Sequence, residues 1–409
     1  MGRDISKQSR SMRVGIIEIM ETGHIVLAET LCRIFCFDPR NQVFLFTIEK
    51  HSENLKHLCD RYPNLNLVVN PSKNDKEIFL KKVDDFHLDR VYVVTLIKYF
   101  RELSQWKINA SLFLIVHNLD EWFNLSFSEG LRKFFYNAFN NHHLKMLIYF
   151  FKVNFIYPRY KKRILDKVKQ TCGHLVVLSE AIRKELLRIN TEIPVDVIPF
   201  CVYDPPELNI SDETNSENIL KICVPGILSQ YRRNYLGLLD IIENQLFAYK
   251  TQFSVDFLGG VYHDNPLDNS ELILDRVEQL KSRGFLIIVH PVQFIPMSEY
   301  DHELSESDII LGNMNVVLNK FSIYGKTKEA GQYSSMIKGA KPGILPDSYV
   351  EPEELSSSTI LFHDFQDIGR ILIDLINNRQ LVESLKKKAL ENSKHFSPEV
   401  IYNHLIEEH

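Results

Sequence analysis

Short apolar runs alternate with stretches of helical spacing along almost the whole chain. The runs at 13–19, 43–48, 65–69, 91–96, 111–116, 174–178 and 195–198 read as strands. They are largely Val, Ile, Leu and Phe, the pattern of parallel strands buried on both faces. Residues 202–217 break the rhythm with Pro, Asn, Ser and acidic residues and read as a linker. The alternation then restarts, with strands expected at 220–225, 253–258, 285–289, 308–311, 342–345 and 359–362. Amphipathic helices are expected over 376–394 and 398–408, parted at Ser397-Pro398. Two successive βα series predict an α/β chain of two doubly wound Rossmann-like domains. The N-terminal domain spans 1–201, with a C-terminal helix at 395–409 packing back on it, and the C-terminal domain spans 218–394. A chain of 409 residues suits two cores of about 200 residues better than one. In open α/β sheets, ligands bind outside the carboxyl ends of the strands, so two such domains are expected to face each other across a cleft.

Composition changes the picture little. The chain is 44% hydrophobic and 25% charged, with a net charge of −5, so nothing in the overall balance points to nucleic acid. Cys32, Cys36, Cys59, Cys172, Cys201 and Cys223 form no CxxC pair and no His/Cys ligand spacing; they read as reduced, buried thiols with neither disulfide nor zinc. Eighteen uncharged apolar residues never run together, and the first twelve residues lack the apolar core of a secretory signal. A cytoplasmic protein is expected, one that can lie on the inner face of a membrane. One local asymmetry stands out: residues 131–169 hold ten Lys and Arg against one acid, Asp166, interleaved with Phe and Tyr. That composition suits an anionic lipid surface, with a core or groove helix and nucleic acid as the other readings.

The strand ends carry the candidate chemistry. Gly23 and His24 open a helix beyond the first strand, where backbone amides can meet an anion. His117 and Asn118 end the fifth strand. Ser179 can cap the helix that begins at Glu180. Gly226 ends the first strand of the second series, and Arg232 and Arg233 follow it; guanidinium groups beside a glycine turn suit a diphosphate. Gly259 and Gly260 end the next strand. Gly325, Lys326, Thr327, Lys328 and Glu329 precede an expected helix, bringing two ammonium groups, a hydroxyl and helix amides to one anion-sized spot.

The order of these features resembles the GT-B glycosyltransferases, and among them the large retaining family that includes glycogen-synthase-like and mannosyltransferase-like enzymes. The resemblance rests on VVLSEAIRKELL, PVDVIPFCVYDP, VPGILSQYRRNY, FLGG and VQFIPMSEYDHELSESDIIL, and covers nearly the whole chain. That family usually carries two glutamates spaced E-x7-E; here the matching positions are Thr327 and Ser335, with Glu329 two places off. Its phosphate-binding Arg falls near Ile227 and its Lys near Arg232. The resemblance implies transfer of a sugar from a nucleotide-diphosphate sugar to a glycan or lipid-linked acceptor with retention. Gly226, Arg232, Arg233, Gly259, Lys326, Thr327 and Lys328 would hold the donor, with no essential metal and no cofactor beyond the donor itself. His117 would sit near the donor sugar and Glu329 would take its hydroxyls; Gly23, His24 and Asn118 would line the acceptor side. Glu18, Glu21 and Asp120 are the exceptions to a scarcity of carboxylates that suits a retaining enzyme. A catalytically silent glycosyltransferase-like subunit and a nucleotide-sugar 2-epimerase on the same fold are the alternatives.

Overall fold

The computed structural model describes residues 11–20, 24–70, 76–95, 99–123, 156–189, 192–205, 219–261, 268–350 and 352–407. The chain divides into two compact units, one of residues 1–200 and 398–409, the other of residues 201–397.

The first unit holds a seven-stranded sheet. Its strands are β1 (Arg13–Glu18), β2 (Gln42–Ile48), β3 (Leu65–Asn70), β4 (Arg90–Val93), β5 (Ser111–Ile115), β6 (Leu175–Val177) and β7 (Val195–Val197). They lie in the order β3-β2-β1-β4-β5-β6-β7, and every pair is parallel. Apolar side chains fill both faces because helices cover both, which is why the central strands read as continuous Val/Ile/Leu/Phe runs. Gly15 sits on β1 where a Cβ would come within 2.5 Å of Leu88. The helix Ile25–Cys36 is almost wholly buried, and its two thiols Cys32 and Cys36 lie in the core, where burial pushes Cys36 up to about 12. The helix Pro398–Glu407 belongs to this unit; Tyr402 donates to Asp38 at 3.1 Å and its ring lies edge-on to Phe35.

The second unit holds β8 (Leu220–Cys223), β9 (Phe253–Phe257), β10 (Leu286–Val289), β11 (Ile309–Leu311), β14 (Gly343–Pro346) and β15 (Thr359–Phe362). Their order is β10-β9-β8-β11-β14-β15, again parallel throughout. Both sheets therefore reverse direction beside their first strand, the switch point where an α/β sheet opens a crevice for ligands. A small antiparallel ribbon, β12 (Val317–Asn319) with β13 (Ser322–Ile323), was not expected from the sequence. The helix expected over 376–394 is in fact two: one ends at Asn377, and Asn378 caps the next by accepting from the Leu381 amide at 3.1 Å.

No helix among the described residues is long and apolar enough to cross a membrane. Of the basic aromatic stretch, 131–155 lies outside the described residues, as do Glu21 and Gly23. Its last part forms the helix Tyr157–Gln170, which buries Lys161, Ile164 and Val168 and leaves Arg159, Lys162 and Arg163 exposed.

Candidate functional site

In the second unit, the pairing of β8 with β9 continues past the strand ends. The Gly226 amide donates to Leu258 O at 2.9 Å and the Leu228 amide to Gly260 O at 3.1 Å. Gly226 has φ +112°, and a Cβ there would stand 2.1 Å from Arg233 Nη2. A Cβ on Gly259 would stand 1.9 Å from the Gly226 carbonyl oxygen. The two glycines thus let two loops and a guanidinium occupy space that any side chain would fill.

Arg233 is held one residue before the cap of the helix Tyr235–Gln245, where Asn234 accepts from the Gly237 amide at 3.1 Å. Its backbone amide donates to Ser229 O, which closes the turn and folds the side chain back over Gly226. Only 7% of Arg233 is exposed. Nη1 reaches Ile227 O at a long 3.4 Å, Nε has no partner, and no ion pair among the described residues involves it. A buried guanidinium without an acid is costly unless something else supplies the negative charge. Arg232, by contrast, is exposed.

The loop after β11 is stitched to the same turn. Asn313 O accepts from the Asn234 amide at 2.8 Å, and the Asn315 amide donates to Arg232 O at 3.0 Å. The Asn313 side chain is wholly buried, with neither amide atom partnered. Gln332, in the first turn of the helix Gly331–Gly339, donates from Nε2 to Pro225 O at 3.1 Å, and its Oε1 has no partner. Three segments at the carboxyl ends of β8 and β11 therefore bring buried, under-satisfied polar groups together around Gly226. Sequence reasoning found Gly226, Gly259 and Arg233 but missed Asn313 and Gln332.

The segment of Lys326, Thr327 and Lys328 is a turn, not a helix start: the helix begins at Gly331. Gly325 has φ +72°, and the Thr327 hydroxyl donates to Ile323 O and accepts from the Ile323 amide. That hydroxyl closes the turn, so it is spent on the fold rather than offered to an anion. Lys326 is exposed, and the Lys328 ammonium lies 4.4 Å over the Tyr324 ring. Glu329 accepts from the Ala330 amide at 2.9 Å and from the Tyr349 hydroxyl. Ser335, where the family resemblance placed a glutamate, donates to Gly331 O and meets the Tyr300 hydroxyl in the interior.

In the first unit, the switch point gathers a second polar group. Glu18, at the end of β1, is 1% exposed. It accepts from the amides of Met20 and His24 at 3.0 and 3.1 Å and from the Thr95 hydroxyl at 2.5 Å. Burial raises its carboxyl above the ordinary range, against the lowering by those bonds. Glu18 therefore clamps the turn leading into the helix Ile25–Cys36. The clamp sets His24, whose ring stacks on His117 with centroids 3.9 Å apart and meets the edge of Phe200 at 5.8 Å. His117 Nε2 donates to Val94 O at 2.9 Å, which fixes its tautomer and turns Nδ1 into an acceptor. Burial holds His24 down at about 4, and burial together with His24 holds His117 well below the ordinary histidine range, so both are neutral. Asn118 follows on the same loop, half-buried. Ser179 lies two residues past β6, just before the helix Glu180–Ile189, but its buried hydroxyl has no partner and makes no cap.

No protein-family model matches the chain, and no curated protein matches its sequence. Solved structures do match over its full length. The N-terminal domain of Candida albicans trehalose-6-phosphate phosphatase superposes with a TM-score of 0.60 at 12% identity, covering 98% of this chain and 96% of that one. Anabaena HepE in complex with UDP-glucose gives 0.58 at 13% identity, covering 97% and 99%. Sucrose-phosphate synthase from Thermosynechococcus elongatus gives 0.57 at 13% identity, covering 98% of each chain. With two parallel sheets in the order expected of doubly wound units, the chain has the GT-B glycosyltransferase fold.

Proposed function

We propose that the chain is a glycosyltransferase that takes a sugar from a nucleotide-diphosphate sugar held on the second unit. The observation that carries this reading is Arg233, a buried guanidinium with no acid, folded against a glycine turn at the switch point of the sheet. A diphosphate there would supply the missing negative charge. Arg233 and the first amides of the helix Gly331–Gly339 would stabilise the leaving group as the glycosidic bond breaks. Lys326, Lys328 and Arg232 would add charge at longer range. The fold is one on which HepE binds UDP-glucose, and UDP is the first base to test.

The finer reading follows from the chemistry of each residue. Transfer proceeds with retention and needs no metal, because fixed positive groups do the electrostatic work. His117 presents a neutral Nδ1 to a sugar hydroxyl, and His24 and Asn118 line the acceptor side. Glu329 reaches a sugar hydroxyl by exchanging its bond from Tyr349. The acceptor is a glycan or a lipid-linked sugar, met at an anionic membrane surface through 131–169. The exposed Arg159, Lys162 and Arg163 support that placement; each cation near such a surface contributes about 1 kcal/mol.

The test is a thermal-shift screen of the protein against UDP, GDP, ADP, CMP and their sugar conjugates, with magnesium and with a chelator. Saturable stabilisation by one nucleotide family, equal in chelator, is expected; at a hundredfold excess over Kd it amounts to about 2.7 kcal/mol. Equal stabilisation of Arg233→Met would remove the site from this turn. Binding without turnover on any acceptor would select the silent-subunit reading.

A further inference from the structure

Gln332 and Asn313 are both wholly buried, and both are carboxamides where a carboxylate would be nearly isosteric. Gln332 Nε2 bonds the Pro225 carbonyl, which belongs to the peptide leading into Gly226. The Arg233 guanidinium lies against the Cα of that same Gly226. Asn313 is fixed by its backbone to the residue after Arg233, through the bond from the Asn234 amide. Neither side chain brings a charge to the turn that holds Arg233. Both keep hydrogen-bonding atoms unpartnered: Gln332 Oε1 and both Asn313 amide atoms.

We propose that Gln332 is a positioning residue of this anion site, with Asn313 as its second neutral wall. Gln332 ties the start of the helix Gly331–Gly339 to the Pro225–Gly226 peptide, so that helix amides and guanidinium bear on one ligand. Being uncharged, it also leaves the whole Arg233 charge for that ligand. The inference rests on the nucleotide-diphosphate reading of the same site.

The experiment compares wild type, Gln332→Met, Gln332→Glu and Asn313→Asp by calorimetric titration with UDP and with inorganic pyrophosphate, and by melting without ligand. Gln332→Met loses only the tie to Pro225, and affinity falls about 5-fold, the worth of one neutral hydrogen bond. Gln332→Glu pairs internally with Arg233, and affinity for both anions falls about 100-fold, the worth of a charge-assisted contact. Its melting temperature without ligand stays at or above that of Gln332→Met, because the buried cation has gained a partner. Asn313→Asp behaves as Gln332→Glu does, so the outcome does not depend on one variant folding. Equal affinities in Gln332→Met and Gln332→Glu, with similar losses of melting temperature, would mean a purely structural glutamine and overturn the inference alone. A wild-type protein that binds neither UDP nor pyrophosphate would overturn the nucleotide reading and this inference with it.

Discussion

Replacing Gly226 by alanine separates binding from folding. The new Cβ would stand 2.1 Å from Arg233 Nη2 and 2.4 Å from Cζ, contacts that no structure tolerates. The obstacle is the far end of a flexible side chain, so the arginine can swing away at little steric cost. What remains is the backbone term: φ of +112° costs a non-glycine residue about 1–2 kcal/mol. The loss of stability is therefore small, while the guanidinium leaves the site. A charge-assisted contact to a phosphate is worth about 1.5–3 kcal/mol, so nucleotide affinity should fall about 10- to 100-fold. Gly259→Ala is the counterpart. Its Cβ would stand 1.9 Å from the Gly226 carbonyl oxygen and 2.3 Å from its carbon, and backbone cannot swing away. That variant should lose stability before anything else, by about 3 kcal/mol or more. Urea unfolding and UDP titration of both variants check the pair. A Gly226→Ala protein that binds UDP like the wild type would show that Arg233, or its place against Gly226, is irrelevant to the ligand, and the reasoning would fail.

Other outcomes follow from the same geometry. Arg233→Met should abolish measurable UDP binding yet melt at or above the wild-type temperature, since it removes a buried, unpaired charge; a lower melting temperature would mean that the charge is satisfied in the free protein. Thr95→Val removes the hydroxyl donor from a buried carboxyl and should cost about 1–3 kcal/mol in urea unfolding, felt in the first unit. Two buried groups, His24 and Asp256, should contribute to acid stability with opposite sign. His24 titrates near 4 when folded against 6.5 ordinarily, so the unfolded chain takes up protons that the folded unit refuses. The His24 contribution to the first unit is full above pH 6.5 and falls as pH drops toward 4, and His24→Gln should remove that fall. Asp256, on β9, is raised to about 6 from 3.8 by burial, so its contribution is lost as pH rises through that window; Asp256→Asn should remove the slope. Hydrogen exchange read unit by unit across pH 4–7 checks both.

The strands were legible because burial on both faces leaves an unbroken apolar run, as in Leu112–Val116. The ribbon of β12 and β13 was not, because its turn is built by one side chain: Asn319 accepts from the amides of Phe321 and Ser322. The site was half legible. Glycine followed by adjacent arginines marks an anion turn, but only coordinates show that Arg233 folds inward while Arg232 stays in solvent. The family resemblance set Arg232 near the family's lysine and left the arginine place to Ile227; here a guanidinium lies over Gly226 from Arg233. Thr327 looked like a free hydroxyl because its partner, Ile323, ends the ribbon strand β13, which no spacing announces. Asn313 and Gln332 could not be found at all, since lacking a partner is a property of the surroundings rather than of the residue.

The first unit is interrupted in sequence. Its last helix, Pro398–Glu407, arrives only after the whole of the second unit has been made, and Tyr402 seals a core position against Asp38 and Phe35. The ends of the second unit lie side by side, with the Tyr203 amide donating to Phe396 O at 3.0 Å. Synthesis therefore imposes an order. At about 5–20 residues per second, the ribosome needs roughly 10–40 s to supply the missing helix after residue 200. Through that interval the groove of the helix Ile25–Cys36 that Tyr402 will cover stays open, and the inserted unit has time to fold first. Maturation of the N-terminal half is thus timed by the codons for 398–407, and a stop ahead of them would leave the inserted unit intact while denying the other its seal.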